Sequence, residues 1–475
     1  MLQRAFFCSL LLLISHVTVA TEHWFDTFKR NASPDEMYRF LYALPKAGDL
    51  HNHLSGAGIS EWWFELAIDE SKNGGYRYYT KVSINNCGYG ANQFGFSPYL
   101  LLFVNKQESS YLKLNECQRS EYKLLTELTP NEKSAWLESI RLDKQHEGRN
   151  EFFETHWQRL NDLSSNPYII AEIMVKNMQA FGDEGLSYIE FQHGVFNYIN
   201  PKGDKIAPNE VANIIRSRLA QDDATRTGVV VKMQASILRF MKNAESTMEA
   251  AYHFVNDNRD LYVGVNMVGR EDNDKGHPKR FLPVLRKLRR KFAMNLAFHA
   301  GEVDEPNSHV KDTLLLGAKR IGHGLNLISD PDTLLLMRNS DYLVEVNLVS
   351  NYLLEYVDTY AQHPFPEYLR IGIPVALSTD DRGMWDSTMT DEYYIAVSEF
   401  NLSWSEIVSI GRNSILHSFA DQQLKNILLT NFNAKIASFE KDASNDVGAI
   451  LRNSQVSTFQ FACKKFKICD YVVYK

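Results

Sequence analysis

The sequence has 475 residues, of which 44% are hydrophobic and 23% are charged. A chain of this apolar content can bury a substantial core, which excludes a largely disordered protein, and its length fits one large barrel or about two to three ordinary domains. The formal net charge of −7 disfavours a nucleic-acid backbone as the partner, because such a backbone calls for a basic surface. A small-molecule substrate is the better expectation.

The N-terminus has the layout of a secretory signal peptide. Arg4 precedes an apolar run from Phe6 to Ile14, and the small residues Thr18-Val19-Ala20 follow. This order is typical of a signal at 1–20 that is cleaved after export, and the run is too short to span a bilayer comfortably. We predict an exported protein, periplasmic or secreted, without membrane association after cleavage.

Four cysteines remain after the predicted signal peptide: Cys87, Cys117, Cys463 and Cys469. An even number of cysteines in an oxidising compartment indicates disulfides. Three pairings are open, and proximity in sequence favours Cys87 with Cys117 and Cys463 with Cys469. Four free thiols are the alternative. None of these cysteines has the C-x-x-C spacing of a structural zinc site.

Segment 21–45 precedes the first strand candidate and contains a helical stretch from Pro34 to Tyr42. We predict an N-terminal helical arm, which packs either on the rest of the chain or on a second subunit.

Eight short apolar runs then alternate with helical stretches such as Phe281 to Lys291 and Pro331 to Asn339. Several runs are apolar on both faces, as buried parallel strands are. This alternation predicts an α/β protein with a (β/α)8 TIM-type barrel over 46–453. A doubly wound sheet is the alternative, with one binding crevice at its switch point. The strand candidates are Gly48 to Leu54, Leu186 to Phe191, Val229 to Ile237, Tyr262 to Met267, Met294 to His299, Arg320 to Gly322, Tyr342 to Asn347 and Pro374 to Ser378.

Segment 69–150 interrupts this alternation after the first strand. It is too long for a simple crossover, and it contains Cys87, Cys117 and a helical stretch from Glu132 to His146. We predict a disulfide-linked insertion on the barrel. The C-terminal tail, 454–475, is rich in basic and aromatic residues and has no clear element.

The first two motifs supply three histidines and a glutamate. His51 and His53 lie two residues apart on a strand, so both side chains face the same side and form half of a metal site. His299 ends another strand and is a third candidate nitrogen ligand. Glu302 follows the turn at Gly301, where a carboxylate beside a metal can transfer protons. The alternatives are structural histidines and a solvated glutamate.

Two further motifs follow later strands. His323 is flanked by glycines, which indicates close backbone approach, and it is a candidate base or a candidate holder of an activated water. Asp380 and Asp381 follow the last strand, where adjacent carboxylates need a cation or hydrogen bonds. The alternatives are an incidental histidine in a glycine-rich turn and a helix N-cap pair.

All four motifs fall at the carboxyl ends of predicted strands. These ends form one face of a (β/α)8 barrel, where active sites lie. Three histidines and one aspartate suit one zinc ion per chain, with a coordination position left for water. We therefore predict a zinc-dependent hydrolase with the metal ligands His51, His53, His299 and Asp380.

The motifs resemble those of the adenosine deaminase family within the metal-dependent hydrolase barrels. The matching pieces are Pro45-Lys46 before His51-x-His53, Asn266-Met-Val-Gly269, His299-Ala-Gly-Glu302, Arg320-Ile-Gly-His323-Gly and Ser378-Thr-Asp380-Asp381. They keep the family's order. The signal peptide and the insertion resemble the secreted, growth-factor-related branch, which is compatible with a homodimer.

The resemblance implies the hydrolysis of a cyclic amidine C–N bond, which converts adenosine or 2′-deoxyadenosine to inosine or deoxyinosine plus ammonia. By the same resemblance, Glu302 protonates N1 of the purine while water adds at C6. His323 orients and helps to deprotonate that water, Asp381 bonds N7, and the Gly269 backbone contacts the N3 side.

One residue departs from the family pattern. Classical members have an aspartate that contacts the ribose two residues after the second histidine, whereas this chain has Ser55. The sugar half of the substrate is therefore open, and another aminopurine is an alternative. Nucleotides are not expected, because no phosphate-binding loop is found.

His193 is predicted to be structural, with a place at the pocket mouth as the alternative. A binding or signalling protein with a residual enzyme site is a third hypothesis.

Overall fold

Eight parallel strands, ordered as in the chain, form the central sheet of the protein. The computed structural model describes residues 23–91, 100–144, 146–273 and 275–474, so the predicted signal peptide lies outside the described residues. The strands in the described ranges are β1 (Ala47–His53), β2 (Tyr78–Lys81), β3 (Asn105–Gln107), β4 (Tyr122–Leu124), β5 (Leu186–His193), β6 (Val230–Leu238), β7 (Tyr262–Val268), β8 (Leu296–Ala300), β9 (Arg320–His323), β10 (Leu343–Val346) and β11 (Val375–Leu377).

The order β1-β5-β6-β7-β8-β9-β10-β11 closes on itself. The Asp380 N–H donates to His51 O, and the His53 N–H donates to Asp380 O, each at 2.9 Å. A doubly wound sheet would leave two open edges, whereas here the chain just after β11 bonds to β1. The predicted (β/α)8 barrel is therefore confirmed, and all eight predicted strands are found within a few residues of their predicted ends.

Helices surround the barrel, and several begin at a proline or a capping side chain, as helix starts do. The predicted helix from Pro331 is confirmed, and the one near Phe281 begins with a 3-10 turn. In the described ranges the α-helices are α1 (Trp24–Asn31), α2 (Pro34–Ala43), α3 (Ser60–Ile68), α4 (Glu108–Tyr111), α5 (Glu116–Arg119), α6 (Pro130–Ile140), α7 (Arg149–Glu151), α8 (Trp157–Leu160), α9 (Pro167–Asp183), α10 (Pro208–Leu219), α11 (Asp222–Thr225), α12 (Ala244–Asp257), α13 (Leu282–Arg289), α14 (His309–Leu316), α15 (Pro331–Arg338), α16 (Leu348–Leu353), α17 (Phe365–Ile371), α18 (Arg382–Trp385), α19 (Met389–Phe400), α20 (Trp404–Leu416), α21 (Gln422–Asn453) and α22 (Gln460–Phe466).

The segment between β1 and β5 contains a separate three-stranded antiparallel sheet in the order β3-β2-β4. Its disulfide joins Cys87 to Cys117, and a second disulfide in the tail joins Cys463 to Cys469, so the favoured pairing is confirmed. The helix predicted to extend to His146 ends earlier, at Ile140. It ends there because Arg141 turns to an extended conformation and the Leu142 N–H bonds to Met384 O at 2.8 Å.

The N-terminal arm packs on the chain's own helices. The Tyr38 hydroxyl in α2 donates to Asp391 Oδ1 at 2.9 Å in α19, and it lies 2.7 Å from Thr458 Oγ1 in the tail. The arm and the tail thus meet on one side of the barrel, and the homodimer stays a prediction. Within the described ranges, the structure contains no helix that is long and apolar enough to cross a membrane.

Three charged side chains lie inside the barrel, beneath the carboxyl ends of the strands. Arg320 on β9 pairs with Glu190 at 2.8 Å and with Glu345 at 2.7 Å, and all three side chains are buried. Charges removed from water in this way are tolerated only while they stay paired.

We expect Arg320→Met to destabilise the fold by about 3–5 kcal/mol, because it leaves two buried carboxylates without their cation. Urea unfolding of the purified protein measures this loss. Arg216→Met is the matched control, since Arg216 pairs with Asp260 at the surface and such pairs contribute about 0–1 kcal/mol. Equal losses in the two variants would contradict a special role of the buried cluster.

Candidate metal centre and active site

The alternation of β1 places His51 and His53 on the inner side of the barrel. Barrel closure brings Asp380 to the same place. Its Oδ1 lies 3.4 Å from His51 Nε2 and 3.3 Å from His53 Nε2. The two halves of the predicted ligand set, from the first and last strands, therefore meet in space.

His299 completes the set from β8. Its Nε2 lies 3.1 Å from His53 Nε2. The ligand atoms of His51, His53, His299 and Asp380 all lie within 4.8 Å of one another. The structure thus brings together all four residues predicted as metal ligands.

Two partners orient the imidazoles. His51 Nδ1 lies 2.8 Å from Glu345 Oε2, and His299 Nδ1 lies 3.1 Å from Asn266 Oδ1. Each oxygen accepts a hydrogen bond, so each Nδ1 carries the proton and each Nε2 turns a lone pair toward the other ligands. Sequence reasoning did not assign these roles. Glu345 could have been found from the sequence, because it is an acidic residue at an inward position of the apolar strand β10.

The residues present fit a metal ion. His51 Nε2 and Asp380 Oδ1 are buried and have no hydrogen-bond partner within the described ranges. Nitrogen lone pairs that face one another and a carboxylate oxygen repel unless a cation lies between them. Three imidazoles and one carboxylate are a donor set that suits zinc.

The backbone around the ligands is tightly constrained. Asp380 and His323 have positive φ values of 54° and 64°, a conformation that costs free energy in residues other than glycine and concentrates at functional sites. A Cβ on Gly322 would lie 2.5 Å from His51 Cε1, so only glycine leaves room for that ring. Position 322 must therefore be glycine, because its backbone packs directly against the ring of His51, a candidate ligand.

Glu302 lies in the turn after β8 and is held there through Glu271. The N–H groups of Gly301 and Glu302 donate to the two carboxylate oxygens of Glu271 at 3.0 and 3.1 Å. Glu271 in turn pairs with Arg239 and His309. Sequence reasoning missed Glu271, although it follows Gly269 by only two residues.

Two carboxyl groups beside the ligand set are buried. Burial raises the pKa of Glu302 well above its ordinary value, and the charges of Asp380 and Glu271 raise it further. Burial, Asp380 and Glu302 raise the pKa of Asp381 in the same way. A raised pKa favours the protonated carboxyl group, which is the form that can act as an acid toward a bound ring nitrogen.

His323 lies between these carboxyl groups and α16. Its Nε2 is 3.8 Å from Glu302 Oε1, and its Nδ1 is 2.9 Å from Asn351 Nδ2. Burial lowers the pKa of His323 to about 3, so the ring is neutral. All three residues predicted to take part in the chemistry, Glu302, His323 and Asp381, are thus next to the ligand set.

A cavity of about 1390 Å³ adjoins the site, and His53 and His299 of the ligand set line it. Glu302, Asp380 and Asp381 line it together with Gly269, whose φ of 95° is readily adopted only by glycine. The predicted substrate-contact residues Gly269, Asp381 and Ser55 therefore share one cavity with His53, His299 and Asp380 of the ligand set.

Ser55 lines this cavity beside His193. The Ser55 hydroxyl lies 3.2 Å from His193 Nδ1, and burial lowers the pKa of His193 to about 4. This pair therefore presents neutral hydrogen-bonding groups. His193 was predicted to be a structural histidine. It is hydrogen-bonded, but it also lines the cavity, because β5 extends two residues further than predicted and carries it to the rim.

Two relatives show the range of activities among similar proteins. The chain is 28% identical to an adenosine deaminase of Enterococcus faecalis over 247 residues, 52% of this chain and 70% of that protein. It is 25% identical to an N6-methyl-AMP deaminase of Bos taurus over 278 residues, 57% of this chain and 77% of that protein.

Solved structures share the fold. Arabidopsis ADAL complexed with IMP superposes with a TM-score of 0.62 at 20% identity, over 84% of this chain and 99% of that one. An amidohydrolase from Burkholderia ambifaria, with bound Zn, superposes with a TM-score of 0.62 at 17% identity, over 86% of this chain and 95% of that one.

The family model described as Adenosine deaminase matches residues 117–435. This range contains His299, Glu302, His323, Asp380 and Asp381, whereas His51 and His53 precede it. The match covers more than half of the sequence, and the geometry of the site agrees with it. The chain belongs to the adenosine deaminase family.

Proposed function

We propose that the protein catalyses the zinc-dependent hydrolytic deamination of adenosine and 2′-deoxyadenosine at purine C6, which yields inosine or deoxyinosine and ammonia. One observation carries the proposal: four strand ends bring a complete ligand set together, with Glu302 and Asp381 lining the adjoining cavity and His323 beside Glu302. Attack at C6 needs an activated water and an acid for the ring, and both kinds of group are present there.

His51, His53, His299 and Asp380 would hold the zinc ion, one per chain. Bound there, zinc would act as a Lewis acid and lower the pKa of water to about 7. The fold supports this role by keeping Glu345 and Asn266 on the Nδ1 atoms, which directs the lone pairs of two Nε2 atoms inward.

The chain's own groups handle the purine. A protonated Glu302 donates to N1, which makes C6 more electrophilic. Asp381, whose Oδ1 is buried without a partner within the described ranges, donates to N7 in its protonated form. The Gly269 backbone faces the N3 side. These contacts hold the ring so that C6 faces the ligand set.

A second candidate substrate is another 6-substituted aminopurine, including a nucleotide. Ser55 motivates it, because a neutral pair with His193 stands where the family pattern has a carboxylate. Lys242 and Lys275 line the same cavity and would favour a negatively charged substituent. Turnover of adenosine, 2′-deoxyadenosine, adenine, AMP and N6-methyl-AMP, measured side by side, distinguishes the candidates.

We expect one zinc ion per chain after purification, and loss of that ion in His53→Ala and Asp380→Ala, because each removes one of four ligands. Inductively coupled plasma mass spectrometry measures the metal content. His277→Ala is the control, since this exposed histidine lies outside the ligand set. Wild-type zinc content in both ligand variants would contradict the assigned site.

Glu302→Gln should lower kcat on the accepted substrate by about 10²- to 10⁴-fold, because the amide cannot deliver a proton to the ring. The zinc content and the melting temperature should stay at wild-type values. Glu305→Gln, an exposed change three residues away, should keep full activity. Full activity of the Glu302 variant would rule out its role as the acid.

Ser55→Asp should raise kcat/KM for adenosine relative to adenine by about 10-fold or more, because a carboxylate accepts a stronger hydrogen bond from a sugar hydroxyl. Ser55→Ala should lower the same ratio. Steady-state kinetics on the two substrates give the values. If neither variant changes the ratio, position 55 does not contact the sugar.

We further propose that the protein is exported, with support from the signal-like N-terminus and the two disulfides. Mass spectrometry of protein produced with its own N-terminus in an exporting host should find a mature chain that begins at Thr21. A chain that retains residues 1–20 in the soluble exported fraction would contradict cleavage at this position.

A further inference from the structure

A chain of hydrogen bonds leads from the backbone at the start of α17 to His323, beside the cavity-lining Glu302. It begins at His363, which is buried. The Phe365 N–H donates to His363 Nδ1 at 3.1 Å. A backbone N–H can only donate, so Nδ1 must be the unprotonated nitrogen of this ring. The proton of the neutral imidazole therefore resides on Nε2, and burial, which lowers the pKa of His363 to about 3, keeps the ring neutral.

The next member is Asn351 in α16. His363 Nε2 lies 3.1 Å from Asn351 Oδ1. Because that nitrogen donates, the side-chain oxygen of Asn351 must be the atom that faces it. This fixes the orientation of the amide on chemical grounds, and the NH₂ group of Asn351 must point the other way.

The NH₂ group of Asn351 lies 2.9 Å from His323 Nδ1. An NH₂ group has no lone pair to accept with, so His323 Nδ1 has to be the acceptor. Asn347 Nδ2 lies 3.3 Å from the same Nδ1 and 3.5 Å from Nε2, the latter at the limit of a hydrogen bond. A proton on Nδ1 would make His323 either the other tautomer or the imidazolium. In both forms its Nδ1–H would point at the NH₂ group of Asn351, which is itself a donor.

We infer that this relay, Phe365 N–H to His363 to Asn351, holds His323 in the tautomer that carries its proton on Nε2. His323 thus turns an N–H, and not a lone pair, toward Glu302 Oε1, which lies 3.8 Å from its Nε2. Asn351 and His363 are positioning residues that act through it. The consequence for catalysis rests on the proposed function, whereas the tautomer does not.

With its proton on Nε2, His323 has a different role from the one that the family resemblance implies. A nitrogen that already carries a proton cannot deprotonate the incoming water. We assign this step to Glu302, which lines the cavity and whose Oε1 lies 3.8 Å from His323 Nε2. After it has given its own proton to N1, its carboxylate accepts one from the water as the C6–O bond forms. Water has then added across the C6–N1 bond, and Glu302 is protonated again.

Nitrogen-15 NMR of the full chain tests the tautomer directly. Long-range ¹H–¹⁵N spectra of ¹⁵N-histidine protein, recorded with and without zinc, distinguish a ring protonated at Nε2 from one protonated at Nδ1. His323→Gln identifies the signals by removing them. We expect Nε2–H for His323 and Nε2–H for His363. A wild-type His323 that carries its proton on Nδ1, or on both nitrogens, would overturn the inference.

Asn351→Asp is the sharpest variant, because a carboxylate of the same shape accepts where the amide donated. It should move the proton of His323 to Nδ1 and lower kcat by about 10²- to 10⁴-fold, with KM and zinc content close to wild-type values. Asn258→Asp is the matched control. Asn258 is a buried asparagine that caps the C-terminus of α12, so its replacement should leave the His323 signals and kcat unchanged.

His363 supplies a second comparison, which does not depend on the folding of the first variant. His363→Gln keeps a group that can donate to Asn351 and should retain more activity than His363→Leu at equal melting temperature. Unchanged His323 signals in Asn351→Asp would overturn the relay. An Nε2–H signal in a protein that does not turn over adenosine would support the relay and count against adenosine as the substrate.

Discussion

Closure of the barrel between its first and last strands is the constraint on which the site depends. Two backbone hydrogen bonds join Asp380 to His51 and His53, and they bring together candidate metal ligands that are more than three hundred residues apart in sequence. The same bonds hold Asp380 in a positive-φ conformation. The strain is local, and it is opposed by the cooperative closure of a parallel sheet in which every strand has two neighbours.

Beneath the candidate metal site, a cluster of buried charged side chains holds one of the ligand histidines in position. Glu345 accepts a hydrogen bond from His51 and also pairs with Arg320, which in turn pairs with Glu190. Buried charges of this kind add little net stability compared with apolar packing. Their value lies in orientation, since they fix which nitrogen of His51 faces the site. On the other side, Asn351 and His363 orient His323 by neutral hydrogen bonds.

Strand positions and ligand residues were predictable because they depend on short-range patterns. Apolar runs at regular intervals mark buried parallel strands, and the spacing of His51 and His53 fixes their shared face. The end of α6 was mispredicted, because a tertiary hydrogen bond to Met384 ends that helix before its sequence preference does. Glu271 was missed for a related reason: its partners Arg239 and His309 are distant in sequence, and no local pattern announces their contact.

The sequence by itself determined the barrel and which residues are candidates for the metal site and the acid, whereas the predicted purine contacts came from the family resemblance. The barrel and the candidate residues follow from alternation, from spacing and from donor chemistry, all of which can be read along the chain. Tertiary structure alone decided which atoms of those residues face one another. The proton position on His323, the hold of Glu271 on the Glu302 turn and the pairing of Ser55 with His193 arise between separate strands and loops. Hydrogen-bond direction depends on three-dimensional placement, which residue identity does not encode.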